Sequence, residues 1–110
     1  MESIEQRLDR IEFYQKLLME MINDHHYEFY RLIIEKKLQK KEVEAFHKLC
    51  QKLSKESEEQ KEDHFVFFAP LYKKFIEELN PKLDPKEVIQ ACIKQKLYPE
   101  LMEILLRNIV

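Results

Sequence analysis

The sequence has no glycine, no tryptophan and no threonine among its 110 residues. Average usage would supply about eight glycines in a chain this long. Their absence removes the phosphate-cradling P-loop, the dinucleotide-binding fingerprint and the G-x-S-x-G nucleophile elbow, all of which need glycine. Tight β-hairpins also lose the residue that supplies positive φ. Side-chain nucleophiles are few: serine stands only at 3, 54 and 57, and cysteine only at 50 and 92. Long apolar runs are missing too. The longest, Phe65 to Tyr72, covers eight residues and contains Pro70, whereas a membrane span needs about 18. Neither sign of charge dominates, since 19 basic and 21 acidic side chains leave a net charge of −2. The basic excess of a nucleic-acid-binding face is therefore lacking, and neither membrane nor nucleic acid is expected as a partner.

What is present is helical periodicity in one domain, residues 1–110. The fold class expected is all-α, with five or six helices. Residues 1–22 form a coiled-coil-like helix, and residues 24–110 form a helical bundle. The opening Met1-Glu2-Ser3-Ile4-Glu5 has neither a basic nor an apolar leader region, so no signal peptide is expected. Two cysteines without such a leader read as reduced thiols of a cytoplasmic protein.

The first helix opens on Ser3 and Gln6, which fit a capping box. Ile4, Leu8, Ile11, Gln15, Leu18 and Ile22 follow at alternating spacings of four and three residues. That is the coiled-coil period over nearly three heptads, with one polar residue, Gln15, in the seam. Tyr14, Leu17 and Met21 widen the stripe. These six seam residues are the expected oligomer interface, and the chain itself is the expected first partner.

Asn23-Asp24 is expected to stop this helix and cap the next. The second helix carries Phe29, Tyr30, Leu32, Ile33 and Ile34 over more than half its circumference, so it should be largely buried. After a turn at Lys36-Lys37-Leu38-Gln39, a third helix buries Val43, Phe46, Leu49, Cys50 and Leu53. Ser54 to Asp63 contains no apolar residue and reads as a solvated helical extension that frays into a loop before His64. A fourth helix begins near Pro70 and carries Leu71, Tyr72, Phe75, Ile76 and Leu79. Asp84-Pro85-Lys86-Glu87 is a strong start signal for a fifth, with Asp as N-cap and Pro at the first helical position. Val88, Ile89, Cys92 and Ile93 are its core face. Tyr98-Pro99-Glu100 opens the last helix, with Leu101, Met102, Ile104, Leu105 and Ile109. The joints around Lys36-Lys37-Leu38 and Gln95-Lys96-Leu97 look like one helix corner used twice, with the leucine plugging the core beneath the turn.

Arg10-Ile11-Glu12-Phe13-Tyr14, Phe29-Tyr30-x-Leu32-Ile33-Ile34, Leu53-Ser54-Lys55-Glu56, Gln60-Lys61, Leu79-Asn80-x-Lys82-Leu83-Asp84 and Leu97-Tyr98-Pro99-Glu100-Leu101-Met102-Glu103 resemble the YhaI-type proteins of Bacillus-like Firmicutes. The similarity runs in order along nearly the whole chain. It implies a small multihelical cytoplasmic protein that self-associates through its first helix. It implies no activity, no cofactor and no site residue. Relatives of that type tend to have Gly where this chain has Lys37 and Lys96. A left-handed residue costs about 1–2 kcal/mol when it is not Gly, so these two turns are expected to be rearranged or more mobile here.

No constellation of residues is chemically complete. Glu44 and His47 have the Glu-x-x-His spacing of di-iron bundles, but one pair is half of what such a site needs. His47 and Cys50 could supply two zinc ligands only if His64 or Cys92 converged on them. The plainer reading is a solvated Glu44, a half-buried His47 and two core cysteines. His25-His26 at a helix junction reads as surface. Lys36, Lys37, Lys40 and Lys41 form the one local basic patch, diluted by Glu35, Glu42 and Glu44, and read as a solvated corner. The aromatic cluster from Phe65 to Tyr72 reads as core before interaction surface. The function expected is that of a non-enzymatic, self-associating interaction or regulatory protein, with another protein as a second partner. The rivals are a metal-binding helical protein and a weak DNA-binding regulator.

Overall fold

A computed structural model describes residues 1–62 and 68–108, with side chains except at 25, 60–62, 68 and 69. It is all-α: α1 (Ile4–Met21), a 3-10 turn (His25–Tyr27), α2 (Glu28–Glu35), α3 (Lys40–Glu62), α4 (Phe68–Glu78), α5 (Pro85–Gln95) and α6 (Pro99–Leu106). No strand occurs among the described residues.

The bundle is built around α5, which packs on both α2 and α6, while α3 and α4 pack on each other and on α6. The apolar face of α5 explains its central place: Val88, Ile89 and Cys92 are fully buried. Three phenylalanines bridge α2, α3 and α4. The rings of Phe29 and Phe46 lie 5.0 Å apart, and Phe46 meets Phe75 edge-on at 6.4 Å. Burying each such side chain contributes roughly 1.5–3 kcal/mol. Cys50, Leu53, Met102 and Leu105 complete the centre, and all are out of contact with solvent.

Local start signals are used as the sequence leads one to expect at two helices. Ser3 and Gln6 exchange both capping-box hydrogen bonds at the start of α1. The Asp84 side chain accepts from the Glu87 N–H at 3.0 Å, with Pro85 in the first helical position. The two similar joints are the same motif. After α2, Leu38 N–H donates to the Ile33 carbonyl and Lys37 N–H to that of Ile34. After α5, Leu97 N–H donates to the Cys92 carbonyl and Lys96 N–H to that of Ile93. This is the Schellman closure of a helix end. Leu38 and Leu97 pack against the core from beneath these turns.

Several expectations need correction. Lys37 and Lys96 are not rearranged: both keep the left-handed conformation, with φ of 56° and 61°. Two backbone hydrogen bonds and a leucine anchor hold each turn against the cost of a Cβ. The α2 helix is less buried than its composition suggests. Phe29 and Leu32 face the core, but Tyr30 and Ile34 remain 53% and 46% exposed. Asp24 caps the 3-10 turn through the His26 N–H, at 3.0 Å, and does not cap α2. Ile76 points outward from α4. Ile22 stands one residue past the end of α1, in an extended conformation. The stretch after Leu53 is helical to Glu62, as expected, but it is not wholly solvated, since Ser57 within it is buried. Asp63 to Phe67, which include the first three residues of the aromatic cluster, and Ile109 lie outside the described residues, as do the side chains of Phe68 and Ala69. Of that cluster's end, Leu71 is buried and Tyr72 is partly buried against the core.

Candidate association surface

The α1 helix buries none of its residues. It is absent from the set of closely packed helix pairs, and the molecule is elongated, 65 Å by 25 Å by 23 Å. Its apolar side chains are therefore uncovered. Ile4, Leu8, Ile11, Leu18 and Ile22 are all exposed, as is the seam glutamine, Gln15. At 100° per residue the five seam residues within α1, Ile4 to Leu18, share an arc of about 80° on one side of the helix, and Ile22 follows just past its end. Tyr14, Leu17 and Met21 lie on one flank of that arc and are exposed as well. Soluble monomers rarely leave a contiguous apolar patch larger than a few hundred Å² uncovered.

The surface continues onto α2. At the junction, Met19 and Ile22 stand beside Tyr27, Tyr30, Arg31 and Ile34, around a small and almost wholly apolar cleft. The rings of Tyr27 and Tyr30 are stacked 6.4 Å apart. The Arg31 guanidinium donates to the Ile22 carbonyl, which ties the end of α1 to α2. Arg10 pairs with Glu2 at 2.8 Å and lies over the Tyr14 ring. Arg7 and Glu12 are exposed, and neither side chain is in an ion pair among the described residues.

A family model matches residues 1–110, the full length of the chain. The chain belongs to the DUF1878 family, proteins of unknown function. In this DUF1878 protein the metal candidates Glu44, His47 and Cys50 sit in three different surroundings. Glu44 is exposed on α3. His47 is half-buried between Phe29, Phe46 and Tyr98, and its Nδ1 shares a hydrogen bond of 2.8 Å with the Tyr98 hydroxyl. Cys50 is fully buried, and burial pushes its thiol pKa far up, with Cys92 adding to the shift. Burial likewise raises Cys92 to about 12. Both thiols are thus held protonated. Among the described residues no three His, Cys, Asp or Glu side chains converge as metal ligands. No described helix is long and apolar enough to cross a membrane.

The basic corner is also accounted for locally. Lys36 approaches Glu87 at 3.9 Å, Lys37 closes the α2 turn, and Lys40 and Lys41 are exposed at the start of α3. His26 is bound to Asp24 at 2.5 Å.

Sequence reasoning missed two polar anchors. Glu42 accepts from the Gln39 N–H at 2.9 Å, from Asn80 at 2.6 Å and from Lys82 at 3.0 Å. These hydrogen bonds, led by that from the Gln39 backbone, lower its carboxyl to about 2. Gln95 caps α2 from α5. A half capping box from Gln39 to Glu42 was readable from the spacing; the partners supplied from elsewhere in the fold were not.

Proposed function

We propose that this DUF1878 protein is a non-enzymatic, self-associating protein of the cytoplasm, a regulator or adaptor whose α1 helix joins copies of the chain. The observation that carries the reading is the uncovered apolar stripe of α1, from Ile4 to Leu18, on a helix that buries no residue in its own domain. An isolated helix of this length is marginal in water, so its persistence calls for packing against something. The coiled-coil spacing of the stripe fits another copy of itself. The YhaI-type resemblance of the sequence points the same way. With the seam consumed by self-association, a second protein would be met by the outer surface of the bundle.

The test is molar mass by light scattering over a range of protein concentrations, for the native chain and for Leu8→Lys with Ile11→Lys. The native chain is expected to form a defined oligomer and the double variant a monomer that loses no more helix than the 18 residues of α1, with its bundle still unfolding cooperatively. A native chain that is monomeric throughout, or an oligomer indifferent to both substitutions, overturns the assignment.

A further inference from the structure

In heptad terms, Leu8 and Gln15 of α1 occupy a positions, while Ile4, Ile11 and Leu18 occupy d positions. The flanking e positions are Glu5, Glu12 and Met19, and the g positions are Arg7, Tyr14 and Met21. We propose that α1 assembles with further copies of itself in parallel and in register, as a bundle of more than two strands. This rests on the self-association reading above and specifies the partner's direction, register and strand number.

Three independent features support that geometry. The first is charge. In a parallel coiled coil a g residue faces the e residue of the following heptad on the neighbouring helix. Arg7 then meets Glu12 of the next copy, and Tyr14 meets Met19. Both charged side chains are exposed and free of ion pairs among the described residues, whereas Arg10, at an outward c position, is already engaged by Glu2. With antiparallel helices fully overlapped, Glu12 would face Glu12 of the other copy, a like-charge contact.

The second feature is Gln15. Parallel, in-register helices place the Gln15 amides of all copies in one layer, where they can hydrogen-bond to one another. A polar a-position residue is a known device for setting register. Fully overlapped antiparallel pairing would instead set Gln15 against Ile11, leaving a buried amide without a partner. The third feature is side-chain shape. Leu8 at a lies between Ile4 and Ile11 at d, and leucine at a with isoleucine at d favours three or four strands over two. The apolar flank supplied by Tyr14, Leu17 and Met21 suits a bundle wider than a two-stranded seam.

The experiment uses the full chain in three forms. Ile4→Cys should give a disulfide-linked pair on mild oxidation, because parallel register brings the two positions together. Antiparallel overlap separates them by about 27 Å, beyond the reach of a disulfide. Cys50 and Cys92 are fully buried and do not compete in the native state. Arg7→Glu should raise the concentration of half-assembly about tenfold or more, and adding Glu12→Arg should restore it. Light scattering of the native chain should give three or four times the mass of one chain.

An oligomer that fails to cross-link at position 4, or that ignores Arg7→Glu, overturns the parallel arrangement while self-association stands. A two-chain mass overturns the strand number. A folded chain that is monomeric at every concentration overturns self-association, and this inference with it. Because α1 buries nothing in its own domain, an unchanged thermal unfolding transition of the α2–α6 bundle in each variant separates lost assembly from lost folding.

Discussion

The Gln95 side-chain oxygen accepts hydrogen bonds from the backbone N–H groups of Phe29, at 2.9 Å, and Tyr30, at 3.2 Å. The last residue of α5 therefore caps the first turn of α2, 66 positions away in sequence. Tyr27, the local N-cap residue, makes no side-chain cap bond. Two donors that a helix start leaves unpaired are satisfied by tertiary structure, one of them on the fully buried Phe29.

It follows that Gln95→Ala should destabilise the bundle by about 1–2 kcal/mol, the usual cost of losing a cap with a part-buried donor left open. Gln95→Glu keeps an acceptor and places negative charge at the positive end of α2, so it should remain within about 0.5 kcal/mol of the native chain. Urea midpoints compare the three forms. Equal losses for both substitutions would contradict a capping role.

Lys37 and Lys96 hold left-handed backbone at φ of 56° and 61°. Glycine removes the Cβ clash there but has more freedom to lose on folding. Lys37→Gly and Lys96→Gly should each stabilise by about 1 kcal/mol, and nearly additively because the turns are separate. A thermal midpoint higher by about 4–8 °C for each would register this. No change, or a decrease, would mean that the lysine side chains contribute contacts offsetting the backbone cost.

Glu42 titrates near 2 in the folded protein, against 4.5 for a free glutamate, because Gln39, Asn80 and Lys82 bind its charged form. The unfolded chain binds more protons between those values. The stability Glu42 contributes is thus complete above about pH 5 and is lost as pH falls from 4.5 towards 2. Glu42→Gln should lower stability at pH 7 and flatten its decline across that acid window. Denaturation curves at a series of pH values check both effects. A parallel decline in the two proteins would show that Glu42 is not the titrating anchor.

Cys50 and Cys92 are both fully buried, with thiols raised well above the ordinary range. Reactivity belongs to the thiolate, so the native protein at pH 8 should resist a thiol-directed disulfide reagent. Both cysteines should react at once in denaturant. Rapid labelling of the native protein would place at least one thiol within reach of solvent.

The helices were legible because their signals are local. Ser3 with Gln6, and Asp84 with Pro85, satisfy backbone donors within three residues of themselves, and no distant atom is needed. The Leu38 and Leu97 corners are legible for the same reason, although a lysine at each left-handed position points to a turn that is rearranged or more mobile, and both turns keep the left-handed form. The α1 seam was legible as a period. The core faces of α3 and α5 also followed from spacing, because Cys50, Leu53, Val88 and Ile89 recur on one side of their helices.

Composition alone misled at α2. A helix apolar on most of its circumference can be covered on only as many sides as it has neighbours. Here α5 covers Phe29 and Leu32, while Tyr30 and Ile34 stay exposed beside the end of α1. The same limit applies to the polar anchors. Gln95 finds Phe29, Glu42 finds Asn80 and Lys82, and His47 finds Tyr98 only after the chain has closed. Spacing along the chain is enough to place the starts of α1 and α5, the leucine corners after α2 and α5, and the apolar stripe of each helix, since these depend only on near neighbours. Which apolar stripes are covered, and how Gln95, Glu42 and His47 find their partners, depend on distances between residues far apart in the chain, and those exist only once the bundle has closed.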